Sequence, residues 1–108
     1  MKTKSRAALP PLAPTLPSVL GPVPVSRVED LRERESGQEC LGIWRSYERD
    51  VRIAETAVPV AAWHTYWHEW AHIVFWDAGV KLDKDVEERV CDALATARVR
   101  EMLDAVKP

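Results

Sequence analysis

Five consecutive residues, His68-Glu69-Trp70-Ala71-His72, hold the side chains best suited to chemistry. In a helix, residues four apart stand one turn from each other on the same face, roughly 6 Å along the axis. Two imidazole nitrogens at that spacing can converge on one tetrahedral zinc ion. The glutamate between them lies alongside and can reach a metal-bound water as general base. The pattern points to metal-assisted hydrolysis.

A catalytic zinc of this kind takes three protein ligands and leaves one position open. Further along, Glu88-Arg89-Val90-Cys91-Asp92 puts Glu88 and Asp92 four apart, on one face of a second helix. Glu88 can be the third ligand. Asp92 can accept a hydrogen bond from the free ring nitrogen of a ligating histidine and fix its tautomer. Residues 73–87 leave room to end one helix, reverse, and pack the second antiparallel with the metal between them.

Each of these residues also has a plainer use. Asp85 as N-cap with Glu88 three residues on would make a capping box. Glu87 is a fallback ligand, but it points away from Asp92 and suits a surface charge in the first turn. Cys91 can be a thiolate ligand or a small buried hydrophobe. His64, one turn before His68, can stabilise a developing oxyanion, or it is a polar residue at the pocket rim. Tyr66 could take the same role from another face.

The elements that must position these groups follow from periodicity. Residues from Val60 to Asp77 are almost all apolar, which predicts a buried helix with His64, His68 and His72 as its polar stripe. Thr56 is the expected cap, Pro59 suits the first turn, and Gly79 ends the helix in the left-handed region. A second helix opens at Asp83 or Asp85 and runs to about Val106, with Val86, Val90, Ala93, Leu94, Ala97 and Val99 as its apolar face. Upstream, Leu20 to Val28 reads as a strand whose prolines confine it to an edge or to the strand ends. Glu29 to Gly37 is a charged loop or a short exposed helical turn, closed by Gly37. Cys40 to Trp44 and Val51 to Ala54 form a hairpin around Arg45 to Asp50.

The chain has 108 residues, and six of its eight prolines fall between Pro10 and Pro24. Residues 1–18 are expected to form a loose proline-rich arm, and 19–108 one small domain. Lys2, Lys4 and Arg6 resemble the start of a signal peptide, but the prolines that follow break any apolar core for one. The net charge is −2, and the arginines alternate with acids, so nucleic acid is not a favoured partner. Nor does the sequence hold an apolar run long enough for a membrane span. Two distant cysteines, Cys40 and Cys91, suit a reducing cytoplasm. The five tryptophans are expected in the core.

HExxH followed by a helical ExxxD resembles the gluzincin metallopeptidases, the thermolysin-like branch. Glu88 to Ala95 is also similar to the ExxANxFA element of the ImmA/IrrE family, with Cys91 and Asp92 in the Ala and Asn places. The resemblance covers about Val19 to Leu103 and is strongest from Trp63 to Ala95. It implies an α+β fold, in which a small antiparallel sheet of about three strands packs on the HExxH helix. It implies one zinc per chain held by His68, His72 and Glu88, with Glu69 as base and Asp92 behind a ligand. It further implies a phage or prophage protein that acts in the host cytoplasm on a peptide or protein substrate, a regulator such as a repressor. In that family plan a sheet edge beside the metal binds the peptide as an added strand. Trp67, Trp70 and Trp76 depart from the family pattern around HExxH and would narrow the groove. A non-catalytic interaction or regulatory module with a structural zinc is the alternative.

Overall fold

A computed structural model describes residues 8–107 of the chain; Lys2, Lys4 and Arg6 lie outside the described residues. The elements run β1 (Thr15–Leu16), β2 (Val23–Val28), β3 (Gly42–Arg45), β4 (Asp50–Ala54), α1 (Pro59–Ala78) and α2 (Lys84–Ala105). The strands form one sheet in the order β1-β2-β4-β3. The HExxH helix, α1, packs on the sheet, and α2 packs on α1 with Glu88 in its first half. This is the α+β, zincin-like arrangement that the sequence predicts.

The sheet differs from the expected one in two respects. First, β2 and β4 run parallel, with Val25 opposite Val51 and Val28 opposite Ala54; the β1–β2 and β3–β4 pairs are antiparallel. Burial explains the order. Val51 and Ile53 are wholly buried, so β4 takes an interior place, while β3, half-buried along its length, takes the edge. β2 is interior too. Its Pro24 precedes the first pair with β4, so the missing N–H removes no bond from that ladder.

Second, there is a fourth strand, and it comes from the segment expected to be loose. Thr15 and Leu16 pair with Pro24 and Val23, and Leu16 is fully buried. The indole N–H of Trp63 donates to the Pro10 carbonyl at 2.8 Å, and the Tyr66 hydroxyl donates to the Thr15 carbonyl at 2.8 Å. Prolines remove backbone donors but leave every carbonyl free to accept, and two buried aromatics on α1 use them. From Pro10 to Leu16 the arm is thus tied to the domain; its first seven residues lie outside the described ones.

The hairpin between β3 and β4 forms where predicted, although no glycine marks its turn. Arg49 takes the left-handed conformation at φ 54°, and Arg45 grips Asp50 through two hydrogen bonds of 2.7 and 2.6 Å. The Arg49 guanidinium then reaches Asp77 near the end of α1 at 2.9 and 3.1 Å. Arg27 on β2 donates to the carbonyls of Ala54, Glu55 and Ala57, which fixes the connection into α1. The cap of α1 is Val58 rather than Thr56, with no side-chain cap bond; Pro59 at the first position has no N–H to satisfy. Gly79 ends the helix in the left-handed region as expected, at φ 70°.

The buried stripe of α2 also differs from the expected apolar face. Cys91, Ala95 and Val99 are buried, while Val86 and Leu94 are exposed. Cys91 and Ala95 are small, so the backbone of α2 can approach α1. Asp83 stands at the N-cap position without a side-chain bond, and Asp85 lies inside the first turn, so the Asp85–Glu88 capping box does not form.

One close approach positions β3. A Cβ on Gly42 would stand 2.2 Å from the Thr65 methyl carbon of α1, closer than any real contact. Gly42→Ala is expected to destabilise the fold by about 1–3 kcal/mol. Adding Thr65→Ser should recover most of that loss, because serine lacks the obstructing methyl yet keeps a hydroxyl for the Ala61 carbonyl. Urea midpoints of the three proteins check this. A midpoint for Gly42→Ala equal to the parent's would remove the close-approach argument.

Candidate metal centre

The two helices meet as a ladder, in which four steps up α1 match four steps down α2. His64 Nε2 lies 3.3 Å from Thr96 Oγ1, His68 Nδ1 2.8 Å from Asp92 Oδ1, and His72 Nε2 3.1 Å from Glu88 Oε2. Side chains four apart share a helix face, so an antiparallel pair brings successive turns opposite one another. The HExxH spacing and the ExxxD spacing are the same four-residue step read in opposite directions.

Three side chains converge at the centre of this ladder. His68 Nε2 and His72 Nε2 are 3.1 Å apart, Glu88 Oε1 lies 3.2 Å from the first and Glu88 Oε2 3.1 Å from the second. Ligands about 2.0–2.1 Å from a tetrahedral zinc stand roughly 3.3 Å from one another. Each of the three separations lies close to that edge, the two from Glu88 being to its two different oxygens. The tautomers point the same way. Each Nδ1 faces a carboxylate, Asp92 for His68 and Glu87 for His72, and an ionised carboxylate only accepts. The protons therefore sit on Nδ1, and both Nε2 lone pairs face each other and Glu88. One extra proton can serve one of those three contacts at a time, whereas a cation at the centre serves all three. The donor set fits zinc.

Glu69 is buried beside the pair. Burial holds its carboxyl above the usual range, a rise that the neighbouring His72 and His68 only partly offset. A Cβ on Gly42 would lie 3.5 Å from Glu69 Oε2, so the backbone of the edge strand β3 runs past this carboxylate.

Glu87 is where the sequence reading misses a residue. Expected as a surface charge or fallback ligand, it instead bonds His72 Nδ1 at 2.5 Å, the counterpart of Asp92 on His68. The signal for it is chemical: a second ligating histidine also has a spare ring nitrogen, and Glu87 adjoins Glu88. His64 joins none of the converging atoms; its ring is bonded to Thr96 between the helices. Tyr66 is committed to Thr15, away from the cluster. Cys91 lies close to His72 and Glu87, and in the metal-free chain burial and the surrounding carboxylates push its thiol up to about 12.

Of the three indoles expected to narrow the groove, Trp67 and Trp70 do not reach it. They turn to α2, where the Arg98 guanidinium lies 4.3 and 5.9 Å from their rings. Trp76, with Trp44 of β3, lines the cleft beside His72. The same helical period that gathers the imidazoles on one stripe sends residues 67 and 70 to the next.

No protein-family model matches the chain, and neither a curated protein nor a solved structure matches it. Neither helix is long and apolar enough to cross a membrane.

Replacing a carboxylate that holds a ligating imidazole typically costs 10–100-fold in metal affinity. Glu87→Gln and Asp92→Asn are each expected to weaken zinc binding by roughly that factor, as read by competition with a chromophoric chelator. Equal affinity in Glu87→Gln and the parent would return Glu87 to the helix surface.

Proposed function

We propose that the chain is a zinc-dependent peptide hydrolase of the gluzincin type. The observation that carries this reading is the convergence of His68, His72 and Glu88 within 3.2 Å, with Glu69 buried next to them. His68, His72 and Glu88 would hold the metal. Bound there, zinc supplies a Lewis acid that polarises a carbonyl and acidifies water.

The chain's own residues do the rest. Glu69 takes a proton from the attacking water and passes it to the departing amine. Its desolvated carboxylate is a stronger base than a free one. Asp92 and Glu87 hold the two imidazoles in one tautomer and one orientation. β3 is the free edge of the sheet next to Glu69, and a substrate chain would add there as a further strand. His64 is assigned its bond between the helices rather than a step in the reaction.

Arg32 pairs with Asp30, Arg45 with Asp50 and Arg49 with Asp77, which supports a peptide rather than a nucleic acid as partner. The resemblance of the HExxH and ExxxD segments to the ImmA/IrrE family extends the reading to a phage or prophage protein in a host cytoplasm. On that view the substrate is a regulator such as a repressor.

The test combines metal content with turnover. Wild-type protein should contain about one zinc per chain by elemental analysis, and Glu88→Ala should lose most of it. Glu69→Gln should keep the zinc and lose peptide cleavage by at least about a hundredfold. Undiminished cleavage by Glu69→Gln would sink the mechanism. Zinc that raises the unfolding temperature in a protein that cuts nothing would leave the alternative, a zincin-fold module with a structural metal.

A further inference from the structure

Beside the metal centre a cleft of about 570 Å³ opens against His72 and Glu87. Clefts of 300–1,000 Å³ hold small organic groups. Trp44 of β3 and Phe75 and Trp76 of α1 line this one, with Val80 and Leu82 from the α1–α2 connection. Trp76, one of the two tryptophans there, is 52% exposed. Tyr47, 92% exposed, meets it edge-on at a ring distance of 6.4 Å and extends the apolar rim. A small protein gains nothing in stability from aromatics left in water, and such a patch marks a binding surface.

The polar groups of the cleft narrow the occupant further. Glu87 is already taken by His72. Lys81 also lines the cleft and pairs with no carboxylate among the described residues. A carboxylate would satisfy Lys81. Beside a centre read as a peptide hydrolase, an apolar body with a carboxylate close by fits a peptide segment.

We infer that this cleft binds a bulky apolar side chain of the peptide held at the metal centre, and that Lys81 pairs with a carboxylate beside that residue. The inference rests on the peptide-hydrolase reading above and gives it a substrate class. The carboxylate is either an acidic side chain or the peptide's own C-terminus.

The test separates this inference from the reading beneath it. Zinc-loaded Glu69→Gln, which should hold substrate without cutting it, is titrated with fluorescein-labelled octapeptides and followed by polarisation. The peptides carry Phe, Leu or Ser at one position and Glu or Gln at the next, and each is made with a free or amidated C-terminus. Phe and Leu should bind at least roughly tenfold more tightly than Ser. Removing the carboxylate should weaken binding several-fold, and the two kinds of removal show which carboxylate Lys81 takes. Lys81→Glu should abolish that carboxylate preference and keep the preference for Phe over Ser. Trp76→Ala combined with Leu82→Ser should erase the preference for Phe, with zinc content and unfolding temperature unchanged.

Wild-type protein is assayed for cleavage of the same peptides. Cleavage without preference for Phe or Leu would overturn the cleft inference and leave the hydrolase. Selective binding without cleavage would uphold the cleft and overturn the hydrolase. Neither binding nor cleavage would overturn both. Binding that the Trp76 and Leu82 changes do not weaken would place the peptide elsewhere and overturn the inference.

Discussion

Three electron-pair donors crowded within 3.2 Å at the crossing of α1 and α2 set the terms for the rest of this structure. Two imidazole lone pairs and a carboxylate repel one another unless a positive charge lies between them. The helices must approach closely to bring them together, and Cys91 and Ala95, small and buried, allow it. Asp92 and Glu87 must stand behind the rings so that the lone pairs face inward. A domain of this size is stable by only about 5–15 kcal/mol. Structural zinc sites in small peptides contribute about 10–16 kcal/mol at neutral pH. A zinc ion bound at such a site would therefore carry an energetic weight comparable to the fold's own, and would stabilise the helix pair by mass action.

The sheet and the N-terminal segment hold α1 against that crossing. Arg27 fixes the entry to the helix through three backbone carbonyls, and Arg49 holds Asp77 near its exit. The Asp77 side chain is almost fully buried, so it depends on that guanidinium. Arg49 is also the residue that turns the hairpin, and it bonds Ser18 as well. One side chain thus links the hairpin, the end of the helix and the segment after β1. Gly42 completes the contact by letting β3 pass against Thr65 and beside Glu69. The spacing between the edge strand and the buried carboxylate is set by the absence of a single carbon.

Much of this was legible in the chain. The four-residue steps at His68–His72 and Glu88–Asp92 specify one face each, and a helical period needs no tertiary information to read. Gly79 and the two hairpin strands were legible for the same local reason. What escaped was non-local. The pairing of β2 with β4 rather than β3 follows from which strand buries Val51 and Ile53, which alternation alone does not rank. β1 is two residues in a proline-rich run, and the run's partners on α1, Trp63 for Pro10 and Tyr66 for Thr15, lie about 50 positions away. The stripe of α2 was misread because Cys91 and Ala95 are buried for their smallness, while larger Val86 and Leu94 stay outside. Glu87 was misread because its neighbour Glu88 looked sufficient for one metal.

The tryptophans show how one helix keeps two chemistries apart. Trp63, Tyr66, Trp67 and Trp70 touch in succession, with ring distances of 4.8 to 6.2 Å, and Arg98 of α2 lies over Trp67. In this stripe each ring packs against the next, and the Trp63 indole is bonded to the proline-rich segment behind it. The adjoining stripe carries His64, His68 and His72. Rings that cannot turn on one side of a helix limit how far that helix can roll, and a roll would move the two Nε2 atoms off their common centre. Catalysis by position needs groups held within a fraction of an ångström. A run of bulky aromatics that looks like an obstruction in the sequence therefore works as the brace for the imidazole pair. The cleft is left to Trp44 and Trp76, which stand outside that brace and remain free to meet a ligand.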